Sequence, residues 1–207
     1  MESSISQVKP VRLLIATHNP GKVREFRNLL RDLPLRLAAL SDFPDIPEVK
    51  ETGKTFKDNA YIKAVGYAIA SQSRVLADDS GLEVDVLGGA PGVLSARFAG
   101  DYTTSAEKIA RLLAAIDAAD DGDRRARFVS HIALADPAGT VLYEAEGVCE
   151  GTIAESPKGS NGFGYDPIFI PVGFTETFGE LDHNVKQRIS HRALAVAKII
   201  RFLRDFA

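Results

Sequence analysis

Short apolar runs of strand length alternate with stretches in which apolar residues recur every three or four positions. The run 11–17 (VRLLIAT) predicts a first strand. Asn19 followed by Pro20 predicts that a helix begins directly after it, because asparagine caps helices well and proline suits the first helical position. Apolar residues at helical spacing extend that helix to about Arg31. A second short strand is predicted over 35–40.

The same alternation continues along the chain. The predicted helices cover 55–71, 104–119 and most of the last 24 residues, and the predicted strands cover 74–78, 127–135, 141–150 and 167–171. The segments between them are predicted to be an irregular acidic segment over 41–53, a polar turn over 78–81, an extended segment over 82–87, a glycine–proline loop over 88–92 and an acidic turn over 120–123. Helices and strands alternate early and a hairpin signal comes late, so we expect an α/β fold with a mixed β-sheet. A flexible tail, 1–10, would precede a single domain, 11–207.

Composition narrows the class of protein. The 207 residues include one cysteine, Cys149, which excludes an internal disulfide framework and a cysteine-based zinc cluster. No apolar run approaches the roughly 18 residues of a membrane helix, and residues 1–10 do not have the pattern of a signal peptide. We therefore expect a cytoplasmic protein with no membrane partner.

Charge is unevenly distributed along the chain. Residues 184–207 carry six basic side chains and one acidic side chain, which leaves the rest of the chain at −8 and the whole at −3. A sequence-independent nucleic-acid binder normally has a strong basic excess, so no nucleic-acid partner is expected. The local basic excess is compatible with a single phosphate-bearing ligand.

The first strand-to-helix junction, 17–22, reads THNPGK. A polar turn that opens a helix presents free N–H groups and the positive end of the helix dipole, which together suit an anion. Lys22 lies in the first helical turn, where a cation is locally unfavourable and a nearby anion would compensate for it. An ordinary capped helix with a solvated lysine is the alternative interpretation.

Carboxylates gather in the middle of the chain. Asp78 and Asp79 follow an apolar strand, where adjacent acids repel each other; their use would be to hold a hard cation or to polarise a water. Neighbouring strand residues face opposite sides, so we expect one of the two to face a cleft. Glu51 offers a further carboxylate just before a helix, where stabilising the helix dipole is the alternative role. The segment 53–55 (GKT) does not end a P-loop, because Glu48 stands where the motif needs glycine.

A later loop combines flexibility with aromatic side chains. Residues 159–167 contain three glycines together with Phe163 and Tyr165, which could stack on a planar base. A glycine-rich loop whose aromatic side chains cap the core is the alternative. His131 and Cys149 carry less information, and we expect a satisfied histidine in a sheet and a small buried side chain.

The C-terminal segment places Lys186, His191 and Arg192 close together in sequence. On one straight helix, Lys186 and His191 would diverge by about 140°. They can converge on one ligand only if the helix breaks near Ser190, with Ser190 capping its continuation. A basic solvated helix end is the alternative. Ser190 with His191 is a weak serine-hydrolase pair, because no acid is evident to orient the histidine.

Five segments in this order resemble the Ham1/inosine triphosphate pyrophosphatase family, in particular its bacterial members. They read ATHNPGKVREF (16–26), ETGKTFKDNAYIKA (51–64), LADDSGLEVDVLGGAPGVLSARFAG (76–100), GSNGFGYDPIF (159–169) and KQRISHRALA (186–195). The resemblance implies an elongated mixed β-sheet with flanking helices, two lobes around a central nucleotide-binding cleft, and a homodimer. It also implies hydrolysis of purine nucleoside triphosphates such as ITP, dITP and XTP to the monophosphate and pyrophosphate.

The resemblance also implies roles for individual residues. Asp79 would be the general base and a Mg²⁺ ligand, with Glu51 as a second ligand and Asp78 in support. The implied substrate-binding residues are Thr17, His18, Asn19, Pro20, Gly21, Lys22, Ser80, Phe163, Gly164, Tyr165, Asp166, Lys186, His191 and Arg192. The chain departs from the family at Asn184-Val185, where an acidic pair usually stands. A Maf-like dTTP/UTP pyrophosphatase and a nucleotide-binding protein without turnover are the alternative functions.

Overall fold

The computed structural model describes residues 11–100, 103–119 and 122–206. The strands are β1 (Val11–Ala16), β2 (Leu35–Ala39), β3 (Arg74–Val84), β4 (Arg125–Ala135), β5 (Val141–Ile153) and β6 (Phe169–Pro171). The α-helices are α1 (Pro20–Leu29), α2 (Phe56–Ser71), α3 (Ser105–Ala119), α4 (His183–Ile189) and α5 (His191–Phe206). The predicted tail, 1–10, lies outside these ranges, and the predicted acidic turn, 120–123, lies partly outside them.

The strands form one mixed sheet in the order β2-β1-β3-β4-β5-β6. β1 runs parallel to β2 and to β3, whereas β3, β4, β5 and β6 pair antiparallel in turn. The α/β fold with a mixed sheet is therefore confirmed. Within the described ranges, no helix is long and apolar enough to cross a membrane.

Apolar side chains form cores at both ends of the long strands. Around β1, alternate residues face opposite sides of the sheet: Leu13 and Ile15 pack with α1 and α5, and Leu14 and Ala16 pack with α2. The far halves of β3 and β4 form another core with α3 and β6. These cores give the two lobes, and the strand segment between them borders a cleft.

The predicted polar turn at 78–81 was wrong, because β3 continues unbroken through it to Val84. β4 pairs with β3 along this whole stretch, from Asp78 opposite Ile132 to Val84 opposite Ala126. The ladder and the ion pairs of the acidic side chains outweigh the local preference of this sequence for a turn. β1 ends opposite Ala77, so beyond that point β3 pairs with β4 alone among the described strands.

Other element boundaries also differ from the sequence predictions. β5 continues to Ile153, and the segment Asp166–Ile168 is a 3₁₀ helix, so that the last strand begins at Phe169. Gly147 on β5 lets α5 pack directly on the sheet, because a Cβ at this position would collide with backbone atoms of His191 and Ala195. The start of α5 is thereby held against the middle of β5.

Candidate functional site

A cleft of about 540 Å³ opens where β1 ends and β3 continues. The predicted site residues that line it are Thr17, His18, Asn19, Pro20, Lys22, Glu51, Asp79, Ser80, Phe163, Gly164, Tyr165, Asp166, Lys186, His191 and Arg192. Gly21 lies behind this lining, where a Cβ would meet the Phe163 ring. The fold thus brings residues from five distant segments to one place.

The junction 17–22 begins α1 as predicted. Asn19 caps the helix, because its Oδ1 accepts hydrogen bonds from the N–H groups of Gly21 (2.8 Å) and Lys22 (3.3 Å). The Asn19 N–H donates to Thr17 Oγ1 at 3.1 Å. These backbone donors are engaged within the junction, whereas the sequence pattern suggested that they would be free for an anion.

The position of Lys22 in the first helical turn predicted an anionic partner, and the structure provides one in the side chain of Asp78. Lys22 Nζ lies 2.8 Å from Asp78 Oδ2. Arg192 Nη2 contacts the same carboxylate at 3.1 Å, and Ser130 Oγ donates to the other oxygen at 2.5 Å. Burial opposes ionisation of Asp78, but Arg192 and Lys22 outweigh it and hold the pKa of this carboxyl well below its usual range. Asp78 is therefore a buried anion that ties α1 and α5 to the sheet.

Asp79 lines the cleft and Asp78 does not, as the alternation of strand side chains predicted. Asp79 Oδ1 accepts from Lys63 Nζ at 3.0 Å, and its Oδ2 is buried with no hydrogen-bond partner in the part of the chain that the structure describes. Burial raises the pKa of Asp79, although Lys63 and Lys22 partly offset this effect. A buried carboxylate oxygen without a partner suits a metal ion or a reacting water.

Lys63 joins Asp79 to Glu51 and was missed by sequence reasoning. Its Nζ lies 3.0 Å from an oxygen of each carboxylate and donates to the backbone oxygen of Asp78 at 2.8 Å. Burial opposes the charge on Lys63, but Asp79 and Glu51 outweigh it and raise its pKa. The available signal was a lysine on the side of α2 that buries Ala60, since a lysine there needs partners.

Lys186 and Arg192 meet at a second missed residue, Glu25 of α1. Lys186 Nζ donates to Glu25 Oε1 at 2.7 Å, and Arg192 Nη1 donates to Oε2. Burial opposes ionisation of Glu25, but Arg192 and Lys186 outweigh it and hold its pKa at about 2. The available signal was an acid beside Phe26 on a short amphipathic helix. Glu25 thereby fixes two of the predicted substrate-binding cations to α1.

The glycine-rich loop before β6 presents Phe163 and Asp166 to the cleft. Asp166 Oδ2 accepts from the Phe163 N–H at 2.7 Å and from Lys186 Nζ at 2.5 Å. Lys186 Nζ also lies 4.8 Å from the centroid of the Phe163 ring. Tyr165 is 5% exposed and donates its hydroxyl to the backbone oxygen of Ser95 at 3.0 Å. Tyr165 therefore caps the core, and Phe163 is the more available surface for stacking.

The helix break predicted near Ser190 is present. α4 ends at the preceding residue, Ser190 has an extended backbone (ψ 153°), and its Oγ accepts the Ala193 N–H at 3.2 Å to cap α5. The break brings Lys186, His191 and Arg192 to the same cleft. Ser190 is 2% exposed and engaged as a cap, which is against a role as a hydrolase nucleophile.

His191 is held as a neutral imidazole. Its ring stacks on Phe128 with centroids 4.8 Å apart, and its Nδ1 is buried without a hydrogen-bond partner in the described ranges. Burial, assisted by Arg192, lowers the pKa of His191 well below its usual range. Its role in the cleft is therefore one of shape and hydrogen bonding rather than charge.

His131 and Cys149 lie where the sequence placed them. His131 Nε2 lies 3.4 Å from Glu144 Oε2 on the neighbouring strand, so it is a satisfied sheet histidine. Cys149 is a buried free thiol, and burial raises its pKa to about 12. Neither residue lines the cleft.

The donors near Asp79 fit a hard divalent cation. Asp79 and Glu51 both contact Lys63 Nζ, so their carboxylates lie near one point. Mg²⁺ is usually held by one or two carboxylates, with waters and substrate phosphates as its other ligands. The described residues contain no group of three or more His, Cys, Asp or Glu side chains able to hold a metal. A phosphate-bearing ligand and water would therefore supply the remaining oxygens.

The fold and the cleft define an α/β protein whose charged site is suited to a phosphate-bearing ligand and a divalent cation. A model of the Ham1 family matches residues 13–202. The chain belongs to the Ham1 family, in agreement with the five sequence motifs.

Individual relatives are similar over most of the chain. A dITP/XTP pyrophosphatase of Exiguobacterium sp. is 48% identical over 189 residues, which cover 91% of this chain and 95% of that protein. The structure of a Ham1 protein from Coxiella burnetii matches with a TM-score of 0.86 and 43% identity, covering 94% of this chain and 99% of that one. A nucleoside-triphosphatase / dITP/XTP pyrophosphatase structure from Mycobacterium abscessus matches with a TM-score of 0.70 and 41% identity, covering 95% and 98%.

Proposed function

We propose that this protein hydrolyses non-canonical purine nucleoside triphosphates, among them dITP, ITP and XTP, to the monophosphate and pyrophosphate, and so cleanses the nucleotide pool. The observation that carries the proposal is the contact of Asp79 and Glu51 with Lys63 beside a cleft lined with cations. The similarity to the dITP/XTP pyrophosphatase of Exiguobacterium sp., over nine-tenths of the chain, supports it.

Asp79 is assigned as the general base. A water bonds to the α-phosphorus while its proton passes to Asp79 Oδ2, and the bond from the α-phosphorus to the bridging oxygen breaks to release pyrophosphate. Lys63 holds the other oxygen of Asp79, so one lone-pair face stays available. A raised pKa suits this role, because a general base works best when its pKa approaches the operating pH.

Asp79 and Glu51 would hold Mg²⁺, as the contact of both with Lys63 supports. When bound, the ion would supply Lewis-acid stabilisation of the charge on the phosphate oxygens. The junction 17–22 and Lys22 would contact the triphosphate from the start of α1, where the helix dipole favours an anion.

Base selection is assigned to the wall around Phe163. Inosine and xanthine carry a 6-oxo acceptor where adenine carries a 6-amino donor, so a donor facing that position leaves adenine mispaired. Lys186 Nζ and the Arg192 guanidinium lie 4.8 Å and 5.9 Å from the Phe163 ring centroid. These cations are the proposed donors beside a base stacked on the ring.

The test is pyrophosphate release with Mg²⁺ from dITP, ITP, XTP, GTP, ATP, dTTP and UTP. We expect kcat/KM for the first three to exceed that for ATP by about a hundredfold or more, because the 6-amino group of adenine leaves the donor that faces it mispaired. Hydrolysis confined to dTTP and UTP would indicate a Maf-like enzyme. Binding of ITP without release would indicate a nucleotide-binding protein, and either result overturns the proposal.

The homodimer, the cytoplasmic location and the lack of a nucleic-acid partner stay predictions. Size-exclusion chromatography with light scattering tests the first, because a dimer has twice the 22.3 kDa mass of the chain. Steeply salt-dependent binding to DNA or RNA would contradict the last.

A further inference from the structure

The lysine and arginine side chains that line the cleft fall into two groups. The first group consists of Lys22, Lys63, Lys186 and Arg192, each of which contacts at least one carboxylate at 3.1 Å or less. The second group is Arg97, from the 3₁₀ helix Gly92–Arg97, and Lys108 of α3. Neither of these two forms an ion pair or a side-chain hydrogen bond with any residue that the structure describes.

The paired cations leave no excess of positive charge for a polyanion. Their carboxylate partners are Glu25, Glu51, Asp78, Asp79 and Asp166, and Glu48 also lines the cleft. Six carboxyl groups accompany the four cations, so the paired cations offer a triphosphate no surplus of positive charge. Arg97 and Lys108 add two positive side chains to the cleft.

The backbone that carries Arg97 is fixed to the strand of Asp79. Gly81 lies two residues after Asp79 and so on the same face of β3. A Cβ on Gly81 would collide with Ser95, so the 3₁₀ helix 92–97 rests directly on the strand. Ser95 Oγ accepts a backbone N–H of β3 at 2.9 Å and donates to a backbone oxygen of its own 3₁₀ helix at 2.6 Å. Arg97 thus extends, exposed, from a firm support in the cleft wall.

Lys108 repeats the local conflict noted for Lys22. It lies near the start of α3, where the helix dipole disfavours a cation. Lys22 resolves the conflict through Asp78, at 2.8 Å. Lys108 has no such ion-pair partner within the described ranges, although the side chain lines the cleft. An anion entering the cleft would resolve it.

We propose that Arg97 and Lys108 bind the triphosphate of the substrate, at the phosphates that leave as pyrophosphate. The inference rests on the proposed pyrophosphohydrolase function. A guanidinium can bind two phosphate oxygens at once, and an ammonium adds a compact charge. The wall formed by the 3₁₀ helix 92–97 and α3 would thereby hold the outer phosphates, beside the strand that carries Asp79.

The test compares Arg97→Ala, Lys108→Ala and the double variant with the wild-type protein, using dITP hydrolysis and inhibition by pyrophosphate and by dIMP. Arg204→Ala is the matched control, because it removes the same charge from an exposed position about 20 Å along α5 from His191. We expect each cleft variant to raise KM for dITP and the inhibition constant of pyrophosphate by about ten- to a hundredfold. The inhibition constant of dIMP should stay within about twofold, and Arg97→Lys should restore part of the loss.

The outcomes separate this inference from the proposed function. A wild-type protein that does not hydrolyse dITP would contradict the proposed function. If the wild-type protein is active and both cleft variants match Arg204→Ala in KM and in pyrophosphate inhibition, the assignment of Arg97 and Lys108 is wrong. An equal loss of dIMP and pyrophosphate affinity would place the contact elsewhere on the nucleotide and would also overturn it.

Discussion

Asp78 and Asp79 show how two identical neighbours acquire opposite properties at the scale of single residues. Asp78 faces Lys22 and Arg192, and its pKa is held well below the usual range. Asp79 faces the cleft, shares one lysine with Glu51, and has its pKa raised by burial. The strand alternation separates a structural anion from a candidate base.

Replacing Asp79 by asparagine tests that separation. Asp79→Asn keeps the shape of the side chain and removes its ability to take a proton, so kcat for dITP should fall by about 10²- to 10⁴-fold. The protein should stay folded by circular dichroism. Asp32→Asn, at an exposed site, should leave kcat unchanged. Turnover by Asp79→Asn within twofold of the wild-type protein would remove the role of Asp79 as base.

Glu25 predicts a dependence of stability on pH. Its pKa is about 2 in the folded protein against 4.5 for an ordinary glutamate, so its stabilising contribution is complete above about pH 4.5 and is lost as the pH falls toward 2. The shift corresponds to about 3 kcal/mol of unfolding free energy. In urea denaturation, Glu25→Gln should therefore cost much more stability at pH 6 than at pH 3. The exposed Glu155→Gln serves as control, and a cost independent of pH would contradict the prediction.

At the scale of secondary-structure elements, the position of α5 determines where two cleft residues lie. Ser190 separates α4 from α5, and Gly147 lets the first turn of α5 lie directly on β5. Both features act on the same two cleft residues, His191 and Arg192. The position of these two residues in the cleft is thus set by how the start of α5 meets β5.

Gly147→Ala tests this packing. The added Cβ would meet the backbone of α5, so we expect a loss of about 1–3 kcal/mol in unfolding free energy and a higher KM for dITP. Thermal denaturation and steady-state kinetics measure the two effects. Thr152→Val, at an exposed position of β5, should change neither by much. Unchanged stability in Gly147→Ala would show that α5 does not need this close approach.

At the scale of the whole molecule, the two lobes meet where the sheet changes partners. β1 stops opposite Ala77, and β3 continues into the second lobe paired with β4. The edge of β3 at this point forms part of the cleft, and the other walls come from the five α-helices, the loop that carries Phe163 and the 92–97 segment. A net charge of −3 therefore coexists with a cleft that gathers six lysine and arginine side chains from the described residues.

Chelation tests the dependence of the whole enzyme on a cation. The carboxylates of Asp79 and Glu51 already share Lys63, so the fold does not need a metal to neutralise them. EDTA should abolish dITP hydrolysis without changing the far-ultraviolet circular dichroism spectrum, and excess Mg²⁺ should restore it. Full turnover in EDTA would contradict the assignment of Mg²⁺.

Local sequence accounts well for individual elements. Asn19 and Pro20 predicted the start of α1. A break near Ser190 was predicted as the condition for Lys186 and His191 to reach one ligand, and both features are present. The turn predicted at 78–81 was wrong, because pairing with β4 overrides local preference. Glu25 and Lys63 were missed, because a charged residue on an amphipathic helix becomes informative only when its distant partners are known.

The sequence by itself determined the class of fold, the order of the motifs and the family. Apolar periodicity and helix caps act over a few residues and so reveal the elements, and the motifs that mark the family can be read directly along the chain. Only the tertiary structure decided which charges neutralise one another and which stay available. Asp78 meets Arg192 across 114 positions of the chain, and Glu25 meets Lys186 across 161. Such pairings depend on distance in space and on burial, so the lack of partners at Arg97, Lys108 and Asp79 Oδ2 within the described ranges emerges only after folding.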